Sequence, residues 1–177
     1  MSIKRMSHSV YGVVETNRMN RDNVESHCIV DKTDFPNGVE NGTLVAVDKP
    51  NGKLKKTGSL IGMVLGSERI YDQYHAGLKN FVNKAGEAAS VFYMEKGNTF
   101  TTNTICYDDT TYTSEEDLVS ALKNVPGTPL YGKRDAASGV IQIVAESDEA
   151  PFTVVKYTTL PDGQPAVKFI LSDVSKL

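Results

Sequence analysis

The chain has 177 residues, of which 40% are hydrophobic and 23% charged. That length suits one folded unit with a sizeable core, and the ordinary composition excludes wholesale disorder and collagen-like or coiled-coil rods. A formal net charge of -3 offers no global attraction to nucleic acid or to an anionic membrane, so neither is expected as a partner.

The opening residues, Met1-Ser2-Ile3-Lys4-Arg5-Met6-Ser7-His8, are polar, slightly basic and without periodicity. They lack the apolar run of about 7–15 residues that a secretory signal needs, and no later stretch approaches the ~20 apolar residues that span a bilayer. Residues 1–9 therefore read as an extended arm in front of a single β-rich domain over 10–177.

From Val10 onward, short apolar or alternating runs at 10–15, 26–31, 43–48 and 59–65 are separated by turn residues. Strands at this spacing suggest a sandwich or barrel. Asn37-Gly38, Asn41-Gly42 and Asn51-Gly52 supply residues that accept positive φ, and Val45 to Leu54 reads as a strand, a tight turn and a returning strand.

Between Ile70 and Ala85, the residues Ile70, Tyr74, Leu78 and Phe81 recur at intervals of three or four, the spacing of a helical face. Gly77 weakens that helix by about 1 kcal/mol relative to Ala, so the segment reads as a short helix or a long irregular loop. Residues 90–94 and 100–107 form a further pair of strands joined through Lys96-Gly97-Asn98, and one face of 99–105 is nearly all hydroxyl.

Thr113-Ser114-Glu115-Glu116-Asp117 is an acidic helix start with a capping box of Thr113 and Glu116. The helix should end near Asn124, because Pro126 bars continuation and Gly127 follows. A last group of strands, 139–145, 152–158 and 166–171, is punctuated at 147–151 and at Pro161-Asp162-Gly163, so that 126–177 reads as a small C-terminal β section. The expected fold is mainly β, a barrel or sandwich with one or two short helices.

Phosphate-binding, dinucleotide-binding, zinc-protease and nucleophile-elbow motifs are absent from the sequence. The remaining catalytic reading pairs Cys28 or Cys106 with His27 or His75, since a thiol needs a neighbouring imidazole or positive charge to act as a nucleophile. His27 and Cys28 are adjacent on an expected strand, where successive side chains face opposite ways, and free cysteines are usually small buried hydrophobes. Neither cysteine has metal-ligand spacing. Asp108-Asp109 and Glu115-Glu116-Asp117 lack the calcium-loop pattern and read as a solvated loop and a helix start. Lys53, Lys55 and Lys56 form the one compact basic group and read as the solvated edge of a strand. No catalytic residue, cofactor or metal is expected.

Two stretches carry a likeness to a family. Gly42-Thr43-Leu44-Val45-Ala46-Val47-Asp48 is followed by Gly52-Lys53-Leu54 and Gly58-Ser59-Leu60-Ile61-Gly62-Met63-Val64; the second stretch runs Ala89-Ser90-Val91-Phe92-Tyr93-Met94-Glu95-Lys96-Gly97-Asn98-Thr99-Phe100. In order and character they resemble the head-decoration proteins of lambda-like phages. The resemblance covers roughly 42–107, and residues before Gly42 and after Tyr107 have no counterpart in the compact decoration domain. It implies a non-enzymatic protein of the virion, made in the host cytoplasm and bound to the capsid surface, with the major capsid protein and other copies of itself, commonly as a trimer, for partners. A cement protein and a head-fibre base both fit it.

In that setting Ile3, Lys4, Arg5, Met6 and Val10 are the residues of the arm expected to engage a partner. Ile3, Met6 and Val10 are its only apolar anchors, and ordering the arm costs about 1–2 kcal/mol per residue in backbone entropy, which a polar segment recovers most simply from another chain. The competing reading is that Met6 and Val10 dock into the chain's own core. Two other functions stay open at this point: a fibre-type receptor or glycan-binding module that uses aromatics such as Tyr71 and Tyr74, and a small α+β enzyme centred on Cys or His.

Overall fold

The computed structural model describes residues 2–7, 11–18, 21–66 and 81–177. Among these residues the chain is mainly β, with thirteen strands and one α-helix. Strands β1 (Ile3–Arg5), β2 (Val14–Arg18), β8 (Thr99–Thr102), β9 (Ile105–Asp108), β10 (Tyr131–Arg134), β11 (Ile141–Val144), β12 (Phe152–Thr159) and β13 (Pro165–Leu171) make an eight-stranded sheet. Its order is β1-β9-β11-β10-β12-β13-β8-β2, antiparallel except between β9 and β11. Strands β3 (Val24–Val30), β4 (Leu44–Asp48), β5 (Lys53–Lys55), β6 (Ile61–Val64) and β7 (Ala88–Phe92) close a barrel in the order β3-β5-β4-β6-β7, with β3 and β5 parallel. The expected barrel is thus present, fused to a larger sheet.

The fusion follows from the two-residue period of a strand. Val45 and Val47 of β4, Val64 of β6 and Val91 of β7 point into the barrel, whereas Leu44, Met63 and Phe92 on the same strands point out into the core beneath the sheet. These strands are buried on both faces, which is why 44–47 is an unbroken apolar run and not an alternating one. Burying each of Leu44, Met63 and Phe92 contributes about 1.5–3 kcal/mol, so the shared wall holds barrel and sheet together. At the centre of the sheet's core, Phe100 lies 5.5 Å from both Phe152 and Phe169, edge-on to the first and stacked on the second.

The β4–β5 hairpin forms where expected, with Val47 opposite Leu54 and the Asp48 carboxylate accepting from the Asn51 side chain at 2.8 Å. The helix α1 (Glu115–Lys123) starts one residue later than the capping pattern suggested: Ser114 is the cap and Asp117 its reciprocal partner, because the Asp117 carboxylate reaches the Ser114 N–H. It ends at Asn124 and buries Leu118 and Leu122.

Several sequence expectations need correction. The run 100–107 is two strands: the chain breaks at Asn103 and Thr104, sending β8 between β13 and β2 and β9 between β1 and β11. Strand β2 lies at 14–18 and not at 10–15, and β10 was not expected at all, since Gly132, Lys133 and Arg134 hide its period. The helix considered over 70–85 falls largely outside the described residues, as do Val10, Tyr71, Tyr74 and His75. Within its described part, Asn83 forms an isolated antiparallel bridge with Val39, and Phe81 packs edge-on to Tyr11 at 6.1 Å. Finally, Ile3, Lys4 and Arg5 do not form a free arm: they are strand β1, the edge of the sheet, paired with β9.

Candidate functional site

Residues 2–7 form a clip on the rim of the sheet. Ile3, Lys4 and Arg5 lie opposite Asp108, Tyr107 and Cys106, and the ladder is extended at both ends. Asp109 N–H donates to the Ser2 carbonyl at 3.1 Å, Ser2 N–H to the Asp109 carboxylate at 2.9 Å, and Met6 N–H to the Ile105 carbonyl at 3.1 Å. Side chains add to this: Arg5 pairs with Glu40, Lys4 lies 4.0 Å from Asp109, and both the N–H and the hydroxyl of Ser7 donate to Glu115 at the start of α1. Met6 is the plug. It is 1% exposed and belongs to the core beneath the sheet, whereas Ile3, Lys4 and Arg5 are exposed. Of the expected arm residues, then, Met6 takes the intramolecular route and Ile3, Lys4 and Arg5 follow it on the surface.

The socket under the clip is built by β9 and the start of α1. Cys106, directly opposite Arg5, is 2% exposed, and burial pushes its thiol up to about 12. The Asp108 carboxyl is held below its usual range by the backbone N–H of Thr110, which fixes the turn leading to the helix. Beyond Cys106 the β9–β11 pairing stops, and a groove of about 880 Å³ opens between Ile3 and Asp108 on one side and Ile143 and Val144 on the other.

A second set of contacts fixes sheet to barrel. The Asn103 side chain accepts from Val13 N–H at 2.7 Å and donates to the Tyr11 carbonyl at 2.9 Å. The Thr102 hydroxyl donates to the Val13 carbonyl, and the Thr104 hydroxyl to the Asn41 carbonyl at 2.7 Å. Asn41 in turn bonds both backbone groups of Gly66 and receives the Asn83 amide at 3.1 Å. The two points where the chain leaves for and returns from 67–80 are therefore tied to one another. Sequence reasoning read Asn41-Gly42 only as a turn and saw the 99–105 hydroxyls only as a face; their targets are remote and carry no local signal.

The cysteine and histidine candidates are not brought together. Cys28 is buried in the barrel core, its thiol raised by burial, while Cys106 lies beneath the clip in the sheet. His27 is exposed and sits at positive φ in a bulge where β3 steps from Glu25 to Cys28 against Val91 and Ala89. Among the described residues no three His, Cys, Asp or Glu side chains converge as a metal site would require. The lysine group is also more than a solvated edge, since Lys53 and Lys55 converge on the buried Asp31 at 3.2 and 2.8 Å.

Fold and site together define a mainly β protein in which a closed five-stranded barrel is welded to an eight-stranded sheet carrying a terminal clip. No family model, no curated protein and no solved structure matches the chain. The stretch that resembles phage decoration proteins supplies most of the barrel and then crosses into β8 and β9 of the sheet.

Proposed function

We propose that this chain is a non-enzymatic structural protein of a tailed-phage particle, attached to the capsid shell with the major capsid protein and neighbouring copies as its partners. The observation that supports this reading is the clip: six residues bound through backbone hydrogen bonds, two ion pairs and one apolar plug. This is strand addition, a mode in which backbone pairing supplies affinity and one side-chain pocket supplies register. A protein that lines a shell gains from such contacts because they repeat, and multivalency raises avidity by about 10²–10⁴ without a tighter single interface.

The opposite rim of the sheet suits the same role. Strand β2 pairs only with β8, and its irregular step between Thr16 and Arg18, together with the charges of Glu15 and Arg18, discourages indiscriminate edge pairing. A load-bearing element must also resist shear between its parts, and the buried amide and hydroxyl contacts across the barrel–sheet junction serve that need.

Purification of intact particles tests the reading. The chain should sediment with shells in a fixed ratio to the major capsid protein and rebind shells from which it has been stripped. Recovery only in the unbound fraction overturns the proposal.

A further inference from the structure

We propose that the clip exchanges between copies of this chain, so that residues 2–7 of one copy occupy the socket of a neighbour. The inference rests on the shell-bound reading above and names the partner of the clip as a second copy.

The occupant of the socket is seen directly, and its contacts form a self-contained set. Every hydrogen bond and ion pair described for residues 2–7 ends on Glu40, on Ile105–Asp109 or on Glu115. None requires the clip to come from the same chain, and only residues 8–10 join it to Tyr11. A clip supplied by a neighbour would therefore reproduce each contact, including the Met6 plug, and exchange of a terminal element is a low-cost route to assembly.

An empty socket is the unfavourable state. It would open a void in the core where Met6 sits and leave the outer edge of β9 unpaired. Exchange must then be one for one, closing in a pair or a ring. The balance between own and neighbouring clip depends on the connection, because a tethered segment competes at an effective concentration on the order of millimolar. In dilute solution the chain's own clip wins. Copies held side by side on a shell meet at comparable local concentration, and the exchanged form then links them without any new interface.

Cys106 allows a direct test. Arg5 and Cys106 are partners in the antiparallel ladder, and the neighbouring Met6–Ile105 pair is hydrogen-bonded, which makes the Arg5–Cys106 pair the close, non-hydrogen-bonded kind. Such Cα atoms approach to about 4.5 Å, within disulfide reach. The full chain carrying Arg5→Cys in a Cys28→Ala background is unfolded and refolded in a glutathione redox buffer, at low and at about hundredfold higher concentration. Non-reducing electrophoresis then reports the product. We expect the monomeric disulfide at low concentration and a several-fold rise in covalent dimers or closed rings at high concentration.

A monomeric disulfide at every concentration overturns the exchange, as do dimers that form equally when Cys106→Ala is added. Should Arg5→Cys fold poorly for want of the Glu40 ion pair, Ile3→Cys with Asp108→Cys, in a background lacking both native thiols, probes the next close pair with the same two outcomes. Shell attachment is read separately, by sedimentation of the unaltered chain with particles. A chain that sediments but never exchanges overturns the exchange alone, and one that exchanges without sedimenting overturns the attachment alone.

Discussion

Arg134 on β10 of the sheet donates from its Nε to the carbonyl of Leu44 on β4 of the barrel, at 2.9 Å. The Leu44 N–H is also held by the sheet side, donating to the Gly139 carbonyl at 2.8 Å. Both backbone groups of one barrel residue are thus fixed by the loop and strand that face them, while the Arg134 guanidinium also bonds the Lys56 carbonyl.

This junction makes Gly139 irreplaceable. It sits at φ 76°, and a Cβ there would lie 2.5 Å from the Leu44 carbonyl oxygen. Gly163, at φ 86° in the β12–β13 turn, has nothing within 4 Å of such a Cβ. Gly163→Ala should cost about 1–2 kcal/mol, the left-handed penalty alone, whereas Gly139→Ala should add an overpacking cost of about 1–3 kcal/mol. Urea midpoints of the two variants measure the difference, and equal shifts would contradict the close approach.

Asn103 should be the most sensitive polar residue of the junction. It is 1% exposed and satisfies Val13 N–H and the Tyr11 carbonyl. Asn103→Ala strands both groups, and each buried orphan costs about 1–3 kcal/mol. Asn103→Asp should be nearly as damaging, because it keeps the acceptor for Val13 but turns a carboxylate oxygen toward the Tyr11 carbonyl. A chemical denaturation series on the three proteins checks this ordering.

Asp31 should dominate part of the acid response. Lys55, the backbone N–H groups of Thr33 and Asp34, and Lys53 hold its carboxyl far below the usual range. A folded-state value lower than the unfolded one, about 3.9, contributes stability above that pH and loses it as pH falls through the folded value. The unaltered chain should therefore be more stable than Asp31→Asn at pH 7, with the gap narrowing as the solution is acidified below about pH 4. Thermal melts of both proteins across that range read the trend, and a gap constant with pH would refute it.

Clip and socket can be monitored through the native thiols. Cys106 is buried under Arg5 and raised to about 12, so at mildly alkaline pH it should label far more slowly than an exposed thiol. Met6→Ala removes the plug, at a cost of about 2–5 kcal/mol, and should speed labelling of Cys106. Cys28, in the barrel core, should label at an unchanged rate. Mass spectrometry of the labelled chain distinguishes the two sites, and equal acceleration at both would indicate global loosening instead of clip release.

The elements legible in the sequence are those whose signal is local. The β4–β5 turn could be read because Asp48, Asn51 and Gly52 settle it among themselves, and α1 was placed to within one residue by its acidic first turn and by Pro126. Strand β10 escaped because a glycine and two charged residues mask a period of two, and the break at Asn103 escaped because Thr99 to Ile105 has strand propensity throughout.

By itself the sequence determined the β class, most turns and the single short helix, since backbone propensity and turn chemistry act over a few residues. Which strands close the barrel, which cross into the sheet and where the first six described residues dock were decided only in three dimensions. Asn103 finds the Tyr11 carbonyl 92 positions back along the chain, and Ser7 finds Glu115 at a separation of 108. A strand's period says that one face must be buried but not against what, and a buried amide must find a partner wherever the packed chain brings one.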